Sequence, residues 1–233
     1  MKETFLVLVS AHFIADFLLQ PDWLEQRKKL VWANMFHSML VAGLTYLFLQ
    51  QWTAWILPIL VFVSHGLVDA VKQGCRDTWQ SFCVDQGIHA LSLLAILWFC
   101  LGFGWIEDFN GVGLRWMVLI AGFSVVVLGA GSLVGKVADK ILRENGLEAR
   151  MNGLKDSGRL IGRLERSLIF LFIFIGHLGG IGFLVAAKSI LIVRFDDVKK
   201  DPKMEEYVLI GTLLSFGLAI AAAALTKAVL KTI

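Results

Sequence analysis

The sequence predicts an all-α polytopic membrane protein, a helical bundle of about seven transmembrane helices with its N-terminus outside. Three observations carry that expectation. Of 233 residues, 57% are hydrophobic and 18% charged, and the mean hydropathy of +0.72 lies beyond the range of soluble globular domains. The charges gather between long apolar stretches. Lysines and arginines concentrate in alternate connections, as the positive-inside asymmetry requires.

A helix needs roughly 20 mainly apolar residues to cross a bilayer. Seven segments come close: 3–20, 30–50, 53–72, 82–105, 114–135, 166–187 and 207–229. The first, TFLVLVSAHFIADFLLQ, has one preceding lysine, no small-residue cleavage site and polar residues in its body, so it reads as a retained helix that Pro21 ends. Pro58 lies inside the third, where a kink is expected. The fifth continues as a polar helix through KVADKILREN, and the basic linker GLEARMNGLKDSGRLIGRLER follows. RFDDVKKDPKMEE, a solvated loop or an interfacial helix, separates the last two segments. Residues 1–233 thus read as a single transmembrane domain. Within it, 1–105 form a four-helix bundle with the site, and 106–233 form supporting helices with a basic cytoplasmic linker at 136–166.

Orientation follows from the short loops. Arg27, Lys28 and Lys29 occupy the first, Lys72 and Arg76 the third, and the fifth is basic, whereas the second and fourth carry no lysine or arginine before Arg115. Odd loops then lie inside. Arg194, Lys199, Lys200 and Lys203 in the sixth loop run against that rule, and a re-entrant GHLGGIG would relieve the conflict. The net charge of +3 is small and dispersed, which gives no ground for a nucleic-acid partner. The basic residues instead set topology and meet lipid headgroups. Cys75, Cys83 and Cys100 have no CxxC spacing and read as free thiols.

The apolar segments carry a polar layer. His12 with Asp16, His65 with Asp69, and Asp85 with His89 are each four residues apart, so each pair shares one helix face. His37, with Asn34 one turn before it, supplies a fourth helix. Counted from the same boundary, all four histidines fall seven or eight residues deep, roughly 10–12 Å. Intramembrane carboxylates cost about 2.5–3.5 kcal/mol each on insertion scales. Within one helix such a pair can serve as interhelical glue, but seven titratable groups at one depth exceed what packing needs. Imidazole mixed with carboxylate suits one or two divalent transition metals, zinc first, with manganese or iron as alternatives. His177, in another segment, reads as structural. A second constellation, Arg159, Arg163 and Arg166 in GRLIGRLER, places three guanidinium groups on one helix face, where they can cradle a phosphate. Lys188 in AAKSI either snorkels to the interface or joins that anion site.

HFIADFLLQ, SHGLVDAVK and DQGIHAL, together with GRLIGRLER, AAKSI and EYVLIGTLLS, give a resemblance over nearly the whole chain to the bacterial membrane proteins of domain-of-unknown-function family 3307. The resemblance implies a multi-pass protein of the bacterial inner membrane and brings no activity with it. In pattern alone, the His/Asp helices are also similar to membrane-bound putative metal-dependent hydrolases.

Two functions are expected from the residues. In the first, a metal-dependent hydrolase acts on a phosphoester or pyrophosphate of a membrane lipid at the cytoplasmic leaflet. His12, Asp16, His37, His65, Asp69, Asp85 and His89 are then the metal ligands, with Asp69 or Asp85 as general base, and Arg159, Arg163, Arg166 and Lys188 hold the anion. In the alternative, a transporter uses the same layer to move a transition metal or protons. No internal repeat of the usual transporter kind is visible. Homo-oligomer formation stays open.

Overall fold

The computed structural model describes residues 1–25, 27–146, 155–194 and 202–233. Among these the protein is helical, with no strand. Helix α1 (Lys2–Phe13) runs directly into a π-helical turn (Ile14–Leu18), and a short α2 (Asp22–Glu25) comes after it. Next come α3 (Val31–Leu49), α4 (Ile56–Lys72), α5 (Trp79–Gly102) and α6 (Leu114–Ser124). A second π-helical turn (Val125–Gly129) leads into α7 (Ala130–Asn145), then α8 (Lys155–Ile175), α9 (Leu178–Arg194) and α10 (Pro202–Leu230). Four helical stretches among the described residues are long and apolar enough to cross a membrane: Val31–Leu49, Trp79–Gly102, Leu114–Asn145 and Lys203–Leu230.

Two expectations change. Pro58 does not kink its helix, because α4 starts at Ile56 and the proline falls in the first turn. There its missing N–H has no intrahelical acceptor to lose. The segment 166–187 is not one helix. Gly176 turns the chain at φ +78°, ending α8, and α9 starts two residues later. The polar continuation of the fifth segment does form, as α7. Residues 147–154 of the basic linker and 195–201 of the sixth loop lie outside the described residues.

The chain separates into two compact units, Met1–Ser124 with Thr232–Ile233, and Val125–Lys231. In the first, α1, α3, α4 and α5 close a ring: α3 packs on α1 and α4, and α5 packs on α4 and α1, with α6 also against α1. Val7, Leu8, Val41, Leu57, Val61, Leu93 and Leu97 fill its interior. Met39, Leu67, Leu91 and Trp98 stand on the outside, more than half exposed, as bilayer-facing residues would. Asn34 and Gly66 fit α3 to α4. The Asn34 amide donates to the Gly66 carbonyl at 3.0 Å, and a Cβ on Gly66 would come within 3.1 Å of Ser38 Oγ. This close approach lies beside both His37 and His65. The end of the ring away from the histidines is tied by glutamines. Gln51 exchanges two hydrogen bonds with the Glu107 backbone, and Gln50, itself at φ 57°, does the same with Val112.

In the second unit a buried arginine organises the packing. Arg166 donates from Nε and Nη2 to the Val127 carbonyl, at 3.0 and 2.8 Å, and from Nη1 to Ser215 Oγ at 3.1 Å. Val127 belongs to the π-helical turn, where the regular i→i+4 ladder is broken and carbonyls need other donors. Gly131 leaves the space that the guanidinium fills.

Helix α5 opens on a reciprocal cap. Ser81 N–H donates to Thr78 Oγ1 at 3.1 Å, and Thr78 N–H donates to Ser81 Oγ at 3.2 Å. The Thr78→Ala substitution is therefore expected to lower unfolding stability by about 1 kcal/mol, read by denaturant titration of helicity in detergent. No loss would show that α5 is held by packing alone.

Candidate metal centre

The first unit brings all seven of the predicted ligand residues together. Each histidine comes from a different helix of the ring, and all four are buried. Neighbouring imidazole rings lie 4.3 Å apart for His65 and His89, 4.9 Å for His12 and His89, 5.0 Å for His37 and His65, and 5.5 Å for His12 and His65. Turn spacing alone explains only half of this. His65–Asp69 and Asp85–His89 use the ordinary i, i+4 relation on α4 and α5, at 3.6 Å in both cases. Asp16 instead sits within the π-helical turn, where Leu19 N–H reaches back five residues to the Ile14 carbonyl. Widening the helix there turns Asp16 inward, and its Oδ1 faces three imidazoles at once. It lies 3.1 Å from His37 Nε2, 3.6 Å from His12 Nδ1 and 3.7 Å from His65 Nε2.

The carboxylates interlock across helices. Asp69 Oδ1 lies 3.5 Å from His89 Nε2, and Asp69 Oδ2 lies 3.6 Å from His65 Nε2. Three triplets have ligand atoms within 4.8 Å of one another: His12, His65 and His89; Asp16, His37 and His65; and Asp69, Asp85 and His89. His65 and His89 each belong to two triplets, so the groups form one continuous cluster.

The arrangement fits a metal. Atoms bound to one ion at 2.0–2.2 Å stand about 3–3.6 Å apart, close to the 3.5–3.7 Å that separates most of these nitrogen and oxygen atoms. Four atoms at those distances make no hydrogen bond: Nδ1 of His12, Nε2 of His65 and of His89, and Oδ1 of Asp85. Buried polar atoms are rarely left without a partner. Four of them gathered in a small volume have the chemistry of a coordination shell, with nitrogen and oxygen donors that suit zinc, manganese or iron.

The structure adds three side chains to the site. Lys28 Nζ reaches Asp69 Oδ2 at 2.7 Å, and Lys72 Nζ reaches Asp85 Oδ2 at 2.5 Å. Gln86 Nε2 lies 3.4 Å from Asp16 Oδ2 and 3.3 Å from Asp85 Oδ2. In sequence terms both lysines count only toward orientation. Lys72 did carry a signal, since it follows Asp69 by three residues on the same face, but nothing near Lys28 in sequence points to Asp69. With neutral imidazoles, three carboxylates and two ammonium groups leave one negative charge.

The predicted anion residues all lie in the second unit. Arg166 is committed to Val127 and Ser215, as described above. Lys188 pairs with Glu165 Oε2 at 2.6 Å and lies 5.4 Å over the Phe216 ring. Arg159 and Arg163 are exposed on α8. His177 is exposed at the break before α9 and makes a backbone hydrogen bond to the Phe172 carbonyl.

With this geometry in place, comparison with known families becomes informative. The family described as "Protein of unknown function (DUF3307)" matches residues 4–111. Those residues are similar to that family. The DUF3307 stretch runs from α1 to the loop after α5 and therefore contains the whole ring and every residue of the cluster. GRLIGRLER, AAKSI and EYVLIGTLLS lie beyond it, so the expected resemblance over nearly the whole chain narrows to 4–111. Comparison with curated proteins and with solved structures finds no match.

The ion pairs give a prediction. Asp69 has 2% and Lys28 14% of its side chain exposed. Removing one partner of a buried pair costs about 3–5 kcal/mol, so Lys28→Met should markedly lower the melting temperature of metal-free protein. Added Zn2+ should recover more of that loss than Mg2+ does, as read by thermal unfolding in detergent. Equal melting of wild type and Lys28→Met would remove Lys28 from the site.

Proposed function

We propose that the protein is a membrane-embedded, metal-dependent hydrolase of the bacterial inner membrane, acting on a phosphoester or pyrophosphate of a lipid at the cytoplasmic leaflet. In this reading the chain has seven spans with its N-terminus outside. One or two divalent transition ions, zinc by preference, are held by His12, Asp16, His37, His65, Asp69, Asp85 and His89. The observation that carries the reading is the set of unpartnered imidazole nitrogens converging with three carboxylates at coordination spacing.

A bound metal would supply a water acidic enough to deprotonate near neutral pH, together with a positive charge beside the phosphoryl oxygens. The protein's own residues do the rest. Asp69 or Asp85, whichever is not on the metal, takes the proton from the attacking water. Lys28 and Lys72 stand where phosphoryl oxygens can replace the carboxylates as their partners, which stabilises charge as it develops. This moves the main anion-binding role from Arg166 and Lys188, both held by protein groups, to two lysines inside the site. Arg159 and Arg163 remain as exposed charges that draw an anionic substrate to the surface. The burial of the four rings excludes bulk water from the reaction.

The alternative is a transporter for a transition metal or protons that uses the same layer. The two are separated by assay. Protein purified without chelator should carry one or two transition ions per chain. His65→Ala should lose more metal than a substitution of His37, because His65 belongs to two triplets and His37 to one. Acidification should release the metal, since protons compete for the imidazole lone pairs. Unchanged metal content in His12, His65 and His89 variants would end the metal reading.

Asp69→Asn should reduce phosphate release from lipid phosphates by at least about 100-fold, with the helical content kept, while a chelator should have the same effect on wild type. If no lipid phosphate or pyrophosphate turns over, yet metal or protons cross proteoliposomes in a His65-dependent way, the transporter takes its place.

A further inference from the structure

A cleft of about 280 Å3 opens between α4 and α5 on the outside of the ring. Leu67 and Val71 line it from α4, and Val84 and Ile88 from α5. All four are 45–73% exposed, an arrangement that would be unfavourable in water and is natural against lipid. Lys72 and Asp85 also line it, although the surface inside is almost wholly apolar. These are the two groups whose ion pair closes the metal cluster on this side. The cleft floor and the wall of the site are therefore the same two side chains.

We infer that this cleft is the lateral entry for the substrate, a membrane amphiphile with an anionic phosphate headgroup: its acyl chain lies between α4 and α5 and its phosphate takes Lys72 from Asp85. The inference rests on the hydrolase reading and extends it to a route and a trigger.

Polarity and direction support one occupant. Lys72 is the last residue of α4 and so lies at a helix end, where a bilayer has its headgroups, while Asp85 lies six residues into α5. The apolar walls run from there toward Ile88, nine residues into α5, or about 14 Å along the axis. A lipid entering from that leaflet would present its phosphate and its chain in this order. The volume is at the lower end for ligand pockets and accommodates a chain segment rather than a peptide helix. The Lys72 ammonium, paired with Asp85, is the cation beside the cleft, and an anion is what it would accept in exchange.

The consequence for the site is specific. Asp85 Oδ2 is held by Lys72, while Asp85 Oδ1 has no hydrogen-bond partner and lies 3.6 Å from His89 Nε2. A phosphate that takes over the ammonium releases Oδ2 as well. Oδ2 then keeps only the contact with Gln86 Nε2 at 3.3 Å, and it does so only with substrate in place. No bond is made or broken in this step. One ion pair is exchanged for another.

Cys75 lines the cleft, whereas Cys83 is exposed elsewhere on α5, so the native thiols provide a probe and its control. The protein in phosphatidylcholine nanodiscs is alkylated with a membrane-permeant maleimide, and each cysteine peptide is followed by mass spectrometry. Dodecyl phosphate should slow Cys75 at least tenfold and leave Cys83 unchanged, and dodecanol should slow Cys75 less than twofold. Lys72→Met should remove the difference between the two probes. Val84→Trp or Leu67→Trp, each plugging the cleft, should remove protection relative to its own unprobed rate. Equal protection of both cysteines would mean annular lipid only, and protection surviving both tryptophan variants would place the amphiphile elsewhere. Either result overturns the inference. Equal protection by inorganic phosphate would also overturn it, in favour of a soluble anion. Metal content is measured on the same samples. Lys72-dependent protection without metal would keep the cleft and remove the hydrolase, and metal without protection would do the reverse.

Discussion

Three carboxylates buried in an apolar helix ring set the terms for everything around them. An ionised carboxylate taken from water without partners is expensive enough to prevent insertion or folding. Every feature near the site compensates that cost. Asp16 is surrounded by His12, His37 and His65, Asp69 by Lys28, His65 and His89, and Asp85 by Lys72 and His89. No carboxylate relies on a partner from its own helix alone, so the ring has to close before any of them is fully compensated. The polar layer thus specifies which helices are neighbours, a selectivity that apolar packing between lipid-facing helices provides poorly.

The π-helical turn is part of the same solution. Asp16 keeps the i, i+4 relation to His12 at 3.6 Å, and from within the turn Ile14–Leu18 it meets His37 of α3 and His65 of α4 as well. Such turns weaken a helix locally and recur at functional sites. The second one, at Val125–Gly129, shows the other way to satisfy a broken ladder, through a buried guanidinium instead of a site.

The gathering of the seven His and Asp residues was legible in the sequence because two simple periodicities coincide. Spacing of four on α4 and α5 gives shared faces, and helix alternation gives a shared depth, so His12, His37, His65 and His89 could be placed in one layer from sequence. Lys28 was not legible, because its partner Asp69 lies 41 positions away and only the closed ring joins them. Arg166 misled for the opposite reason. Its spacing with Arg159 and Arg163 matches an anion-binding face, but the π-turn that claims its donors has no signature in a run of valines. The helix break at Gly176 was visible as a glycine-rich stretch, yet an apolar run of adequate length reads as one span unless the positive φ is known. Pro58 erred by two residues of helix start, which separates a kink from a harmless first-turn position.

Charge decides what the cluster lacks. With neutral imidazoles, two lysines against three carboxylates leave one negative charge in a low-dielectric volume, where electrostatic interactions are strong. A protonated imidazole would neutralise it, but protonation turns that ring's nitrogen from acceptor to donor. Other unpartnered imidazole lone pairs, around His12 and His65, would still face one another. A divalent ion answers both needs, supplying the positive charge and accepting several lone pairs at once. It would leave the site with a single positive charge, which the phosphate of an entering amphiphile could balance. The same excess would loosen the hold of Lys72 on Asp85, because a nearby cation competes for that carboxylate. If a metal binds there as proposed, its occupancy and the opening of the cleft floor would be coupled through one ion pair, because a cation beside Asp85 weakens the hold of that carboxylate on Lys72.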